Sequence, residues 1–138
     1  MQKTYKLILT TYIIILCIVT IGELKSNTKK YKIEECTIDT ITVYNPTKNQ
    51  CDSEPLVTAS RDTINLNDFP DNFIALSRDL IDSGEFQYGD SILVFLPDSL
   101  PKKFLIKDTK NKRYKNHGDI LHKNKKYGMW FNVKIVKL

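Results

Sequence analysis

The sequence predicts an all-β fold: a small closed barrel of six to seven strands with one short helix, preceded by a hydrophobic helix at the N-terminus. Three observations lead there. Short runs rich in β-branched and aromatic residues recur at roughly 8–15-residue spacing, each bounded by turn signals, as in small barrels. A single stretch, SRDLIDSG at 77–84, carries helix signals, with Ser77 as N-cap and Gly84 as stop. The length of 138 residues suffices for one compact domain, and 41% hydrophobic with 27% charged residues is an ordinary globular balance.

The first segment, residues 1–24, is expected to be a signal peptide or a membrane anchor. Lys3 and Lys6 precede LILTTYIIILCIVTIG, residues 7–22, which carries no charge. At about 1.5 Å per residue such a helix reaches roughly 24 Å, short of the ~30 Å hydrocarbon core. That length suits the apolar core of a signal peptide as well as a short anchor. No Ala-x-Ala-like site follows, and Lys25, Lys29 and Lys30 on the far side leave orientation open. Either reading makes this an exported protein of the cell envelope, anchored or secreted. Residues 25–36 read as a polar linker, and 37–138 as the barrel.

Within the barrel, TITVY (40–44) places Ile41 and Val43 on one face and stops at Asn45-Pro46. LVTAS (56–60) and FIALS (73–77) are the next expected strands. SILVFL (91–96) is apolar throughout and predicts a strand covered on both sides. KFLIKD (103–108), GDILH (118–122) and FNVKIVK (131–137) follow, the last with Phe131, Val133 and Ile135 expected on one face.

Charge is segregated along the chain: net +3 over residues 1–50, −8 over 51–98 and +10 over 99–138. A basic half of this kind suits an anionic polymer, or simply faces solvent. Nucleic acid is not expected, because Tyr114 alone offers a stacking ring among the loop cations. Outside the apolar segment only Cys36 and Cys51 remain. In an exported chain they either form a disulfide or stay as thiols. No CxxC or His/Cys spacing points to a metal, and no glycine-rich phosphate loop points to a nucleotide, so no cofactor is expected.

The last forty residues contain two acidic residues, Asp108 and Asp119, at the ends of DTKNKRYKNHGD. If that segment loops back, both carboxylates come to neighbouring strand ends on one rim. Two such groups, partly desolvated, push one pKa upward and create a general acid of the kind glycosidic cleavage requires. The alternative is that each aspartate makes a surface ion pair with a nearby lysine or a turn bond.

The segments TVYNP (42–46), LVTAS (56–60), IALSRDLI (74–81), YGDSILV (88–94), IKDTKNKRYKNHGDIL (106–121) and WFNVKIVKL (130–138) together resemble the three-aspartate "3D" domain. That domain is a double-psi β-barrel related to rare lipoprotein A and to the catalytic barrel of membrane-bound lytic murein transglycosylases. The resemblance implies a double-psi barrel that acts on peptidoglycan glycan strands as a lytic transglycosylase. It places the general acid/base at Asp119 and the middle aspartate at Asp108, with Tyr44, Thr58, Lys112 and Arg113 at positions that would bind substrate. The family's first aspartate falls on Ser77, two residues before Asp79, and the isoleucine preceding its last aspartate falls on Gly118. A wall-binding barrel without catalysis is the other function that the resemblance admits.

Overall fold

The computed structural model describes residues 34–138 apart from 52, 98, 125 and 126. The expected N-terminal helix lies outside the described residues. The described chain is mostly β, with six strands and one short helix. In chain order these are β1 (Glu35–Tyr44), β2 (Phe73–Ser77), α1 (Arg78–Asp82), β3 (Ser91–Phe95), β4 (Lys102–Lys110), β5 (His117–Leu121) and β6 (Met129–Lys137). The strands form one closed barrel in the order β1-β5-β2-β4-β3-β6.

Closure leaves no open edge, so every strand is paired on both sides. Two of the pairings are parallel, β1 with β5 and β2 with β4. The other four are antiparallel. As a result β5 lies between the consecutive strands β1 and β2, while β4 lies between β2 and β3.

An isoleucine from each strand fills the interior: Ile41, Ile74, Ile92, Ile106, Ile120 and Ile135. Their branched Cβ atoms suit the pleated wall that they line. A second, smaller cluster forms outside the barrel. Tyr44, Ala75 and Leu121 alternate with core-facing neighbours, so they point outward, and Ile64, Leu56 and Phe69 from the segment between β1 and β2 cover them. One wall of the barrel is therefore shielded, and that shield positions the candidate site.

Four expectations need correction. LVTAS is not a strand: it makes one isolated bridge, Val57 to Thr63. Its backbone turns back on itself through Arg61 N–H to Thr58 O (2.8 Å) and Thr58 N–H to Asp62 O (2.9 Å), with Arg61 at φ 68°. SILVFL is not covered on both sides, since Ile92 and Val94 are buried while Phe95 is exposed. The polar-looking residues Glu35–Asp39 belong to β1, where Cys36 pairs with Ile135 and Ile38 with Val133, so the barrel begins within the expected linker. Finally, Val133 and Ile135 are buried but Phe131 is 63% exposed. Between them Asn132 sits at φ 51°, and this left-handed residue breaks the period-two alternation.

The short helix matches its expected start. Ser77 is its N-cap residue, yet its side chain makes no capping bond. Gly84, at φ 80°, ends the turn. Cys36 carries a free thiol packed against the barrel core, whereas Cys51 packs in the outer cluster. Burial, and then the charge of Glu85, push the Cys36 thiol up to about 11, which leaves it unreactive near neutrality.

Candidate functional site

The outer wall of β1-β5-β2-β4 carries a polar row. Asp119 stands in register with Thr42 on one side and with Ala75 on the other. Ala75 is in turn in register with Asp108. The row therefore reads Thr42, Asp119, Ala75, Asp108 across four strands, and the central alanine is buried under the outer cluster. Two strand spacings separate the aspartates, about 10 Å.

This arrangement differs from the neighbouring strand ends expected from sequence. β2 inserts between β4 and β5, so the loop from 111 to 116 crosses a strand rather than forming a hairpin. Each aspartate also lies inside its strand, since β4 runs on to Lys110 and β5 begins at His117. The two carboxylates share a level on one wall but do not touch.

Each has its own partners. Asp119 accepts from Thr42 Oγ1 at 2.6 Å on Oδ1 and from Lys110 Nζ at 2.7 Å on Oδ2. Lys110 Nζ also donates to Thr42 Oγ1 at 2.7 Å and lies over the Tyr114 ring, 4.7 Å from its centroid. Only 8% of the Lys110 side chain and 17% of the Asp119 side chain are exposed, so this ion pair is mostly shielded. Asp108 accepts from the Tyr44 hydroxyl at 3.0 Å on Oδ2, and from the N–H groups of Ala59 (3.0 Å) and Thr109 (2.8 Å) on Oδ1. Thr109 in turn meets the Tyr88 hydroxyl.

Tyr44 responds to this setting. Burial first, then the negative charge and hydrogen bond of Asp108, push its phenol far above the usual range. A group raised in the folded state stabilises below its unfolded pKa, about 10, and that contribution is lost as pH rises beyond it. Tyr44→Phe is thus expected to cost about 1.5 kcal/mol at neutral pH, the scale of a hydrogen bond to a charged acceptor. The deficit relative to wild type should shrink above pH ~10, where the unfolded wild-type phenol ionises. Urea midpoints measured from pH 7 to 11 test this, and a deficit that stays constant would refute it.

Of the other expected site residues, Thr58 is buried and its hydroxyl is occupied within the 58–62 turn, accepting from Asp62 N–H at 3.1 Å. It is the neighbouring Ala59 backbone that reaches Asp108. Arg113 donates to the Tyr114 hydroxyl at 3.0 Å and stacks on its ring. Lys112 is exposed in the same turn. Tyr114 packs against His117 with ring centroids 5.3 Å apart, which links the cationic turn to β5.

Ser77 and Asp79 serve the start of β5. Ser77 Oγ accepts from His117 N–H at 3.0 Å, and Asp79 Oδ2 accepts from Asn116 N–H at 2.9 Å. Burial tends to raise the Asp79 pKa, but the Asn116 N–H bond and smaller contributions outweigh it and hold the carboxyl below its usual range.

Thr42, Lys110 and the Ala59 N–H were not anticipated from the sequence. Thr42 and Lys110 stand two residues from Tyr44 and Asp108 respectively, so carrying the strand period one step further would have found both. Among the described residues, no group of three or more His, Cys, Asp or Glu side chains is placed to hold a metal ion. A separate cavity of about 250 Å³ at one end of the barrel is lined by Val43, Phe104, Ile120 and Trp130, away from the aspartate row. Compared with family models, curated proteins and solved structures, the chain matches none.

Proposed function

We propose that this chain is an exported, cell-envelope protein whose barrel is of the double-psi, 3D type, and that it cleaves peptidoglycan glycan strands as a lytic transglycosylase. The observation that carries this reading is the Thr42–Asp119–Lys110 cluster: a mostly shielded carboxylate, held by two donors, on the same wall as the Tyr44–Asp108 pair. The two parallel strand pairs, each created by a later strand entering between consecutive ones, agree with a double-psi topology. Segment 7–22 would deliver the barrel across the membrane or hold it there.

In this mechanism Asp119, as the acid, gives its proton to the glycosidic oxygen while the bond from that oxygen to C1 breaks. The resulting carboxylate then takes the proton of the C6 hydroxyl, whose oxygen attacks C1. The product is a 1,6-anhydro sugar and no water is consumed. One carboxyl group serves both steps, so a second one need not lie within glycosidase distance. Asp108, with its three donors, would hold a sugar hydroxyl or fix the loop that covers the wall. For Asp119 to donate, Lys110 must first release Oδ2, and its four-carbon stem allows that movement.

A second reading rests on that same ion pair. With both Asp119 oxygens already accepting, the row is well made for gripping hydroxyls and anionic groups without turnover. Mass spectrometry of peptidoglycan incubated with the full-length chain, beside Asp119→Asn, separates the two readings. Anhydro-muropeptides from wild type, falling by at least about 10²-fold in the variant, are expected of a general acid. Binding to sacculi without product from either protein would leave a wall-binding barrel.

A further inference from the structure

The outer face of β6 and the segment that leads into it carry three large apolar side chains that this chemistry does not use. Tyr127, Met129 and Phe131 alternate along the chain and are exposed by 71%, 39% and 63%. Tyr127 donates from its hydroxyl to Met129 Sδ at 3.5 Å, so the first two lie together. Exposed apolar residues scattered singly are ordinary; two on one face of a strand, with a third just before it, are not.

Register ties this strip to the polar row. Met129 pairs with Thr42, which pairs with Asp119. Phe131 pairs with Thr40, which pairs with His117. Beyond His117 lie the Tyr114 ring and the Arg113 guanidinium stacked on it. Two parallel tracks thus cross the wall, one running from Met129 to Asp119 and the other from Phe131 to Tyr114, each about 10 Å from β6 to β5.

The backbone gives an independent reason to attend to Phe131. Strict alternation would place it beside Val133 and Ile135 in the core, as the sequence pattern suggests. Asn132 at φ 51° reverses that direction and turns the ring out to water. Left-handed backbone at a non-glycine residue carries strain, and an apolar ring in water gains nothing by itself. Bulge-like irregularities of this kind re-aim side chains beside functional sites.

We propose that Tyr127, Met129 and Phe131 form a stacking platform for the pyranose rings of an anionic glycan strand, extending the Asp119 site across β1 onto β6. This rests on the glycan reading above and adds where the strand runs. A pyranose presents a C–H face that packs on an aromatic ring, and equatorial hydroxyls that reach sideways to threonine, lysine and carboxylate. Between the platform and β5, Thr40 is buried, and Thr42 is the bridge that already holds Asp119 and Lys110. Charge argues for a glycan over a second copy of this chain. The turn at the far end of the second track presents Lys112, Arg113 and Lys115, all exposed, so an anionic strand is attracted there whereas a second copy brings the same cations.

The test is pelleting of the full-length chain with purified sacculi and with chitin, for wild type, Phe131→Ala, Phe131→Trp and Asn132→Gly. Phe131→Ala should bind about tenfold more weakly with an unchanged melting temperature, because the ring is exposed. Phe131→Trp should restore binding, and Asn132→Gly should retain it. Wild-type binding to chitin but not sacculi, still dependent on Phe131, would overturn the anionic strand as occupant and sink the peptidoglycan reading. Unaltered binding by Phe131→Ala, or no wild-type binding to either polymer, overturns the platform. A wild-type dimer that Phe131→Ala converts to monomer in sedimentation would also overturn it, by assigning the face to self-association.

Discussion

Lys110→Met is expected to lower stability by about 3 kcal/mol, measured as the loss in urea unfolding free energy at neutral pH. The ammonium touches three groups, Asp119 Oδ2, Thr42 Oγ1 and the Tyr114 ring, and only 8% of its side chain is exposed. Methionine keeps most of the apolar stem but removes the charge, so Asp119 remains shielded with Thr42 as its one side-chain donor. Breaking a buried pair from one side costs about 3–5 kcal/mol, and the residual exposure of Asp119 puts the expectation at the lower end. Removing both charges, in Lys110→Met with Asp119→Leu, should recover much of the loss, since no uncompensated group remains. A loss under about 0.5 kcal/mol for the single variant would reduce the pair to an ordinary surface ion pair. The same variant informs function. If Asp119 works as an acid once Lys110 releases it, anhydro product should persist in Lys110→Met at temperatures where the protein stays folded. If the pair only grips the glycan, binding should fall with the charge.

Much of the fold was legible because its strands obey a local rule. FIALS, KFLIKD and GDILH carry alternating or β-branched apolar residues between turn signals, and they became β2, β4 and β5 nearly at the expected bounds. LVTAS had the same composition and failed. A strand needs a partner along its length, and this one is claimed by the 58–62 turn, whose Ser60 N–H bonds Lys107 O at the barrel wall. The first half of β1 failed in the opposite direction. ECTID looks polar, yet its Cys36 and Ile38 face the core opposite Ile135 and Val133, a pairing about a hundred residues distant that no local pattern reveals. Asn132 was invisible for a related reason, because the alternation of FNVKIVK is intact in sequence and only the backbone conformation breaks it.

The site divides the same way. Asp108 and Asp119 drew attention together through their isolation in a basic stretch, and the structure sets both in register with Ala75. Their separation did not follow, because the entry of β2 between their strands is a matter of topology. Of the lysines in that stretch, Lys112 drew attention through its loop position, whereas Lys110 makes the ion pair. Lys110 still lies within β4, on the face that carries Asp108, so the strand rather than the loop aims it at Asp119.

Gly118→Ile is expected to destabilise by about 3 kcal/mol. Gly118 is buried, and a Cβ added to it would stand 3.2 Å from Ile41 Cγ1 and 3.6 Å from the Cδ1 atoms of Ile41 and Ile74. Those two side chains already fill the volume that a larger residue at 118 would need. Forcing further methylene groups into a filled core costs about 1–3 kcal/mol and sometimes more. Gly118→Ala should be nearly neutral, because the lost strand flexibility of glycine offsets a contact that the Ile41 side chain can relieve by a small shift. Ile41→Ala alone should cost about 2–5 kcal/mol through the cavity it leaves. Combined with Gly118→Ile, it returns volume to the same space, so the double variant should be more stable than either single one. Independent losses that simply add would mean that position 118 and Ile41 do not share one space. A favourable coupling would mean that position 118 and Ile41 of β1 share one volume, so that either can be enlarged only at the other's expense.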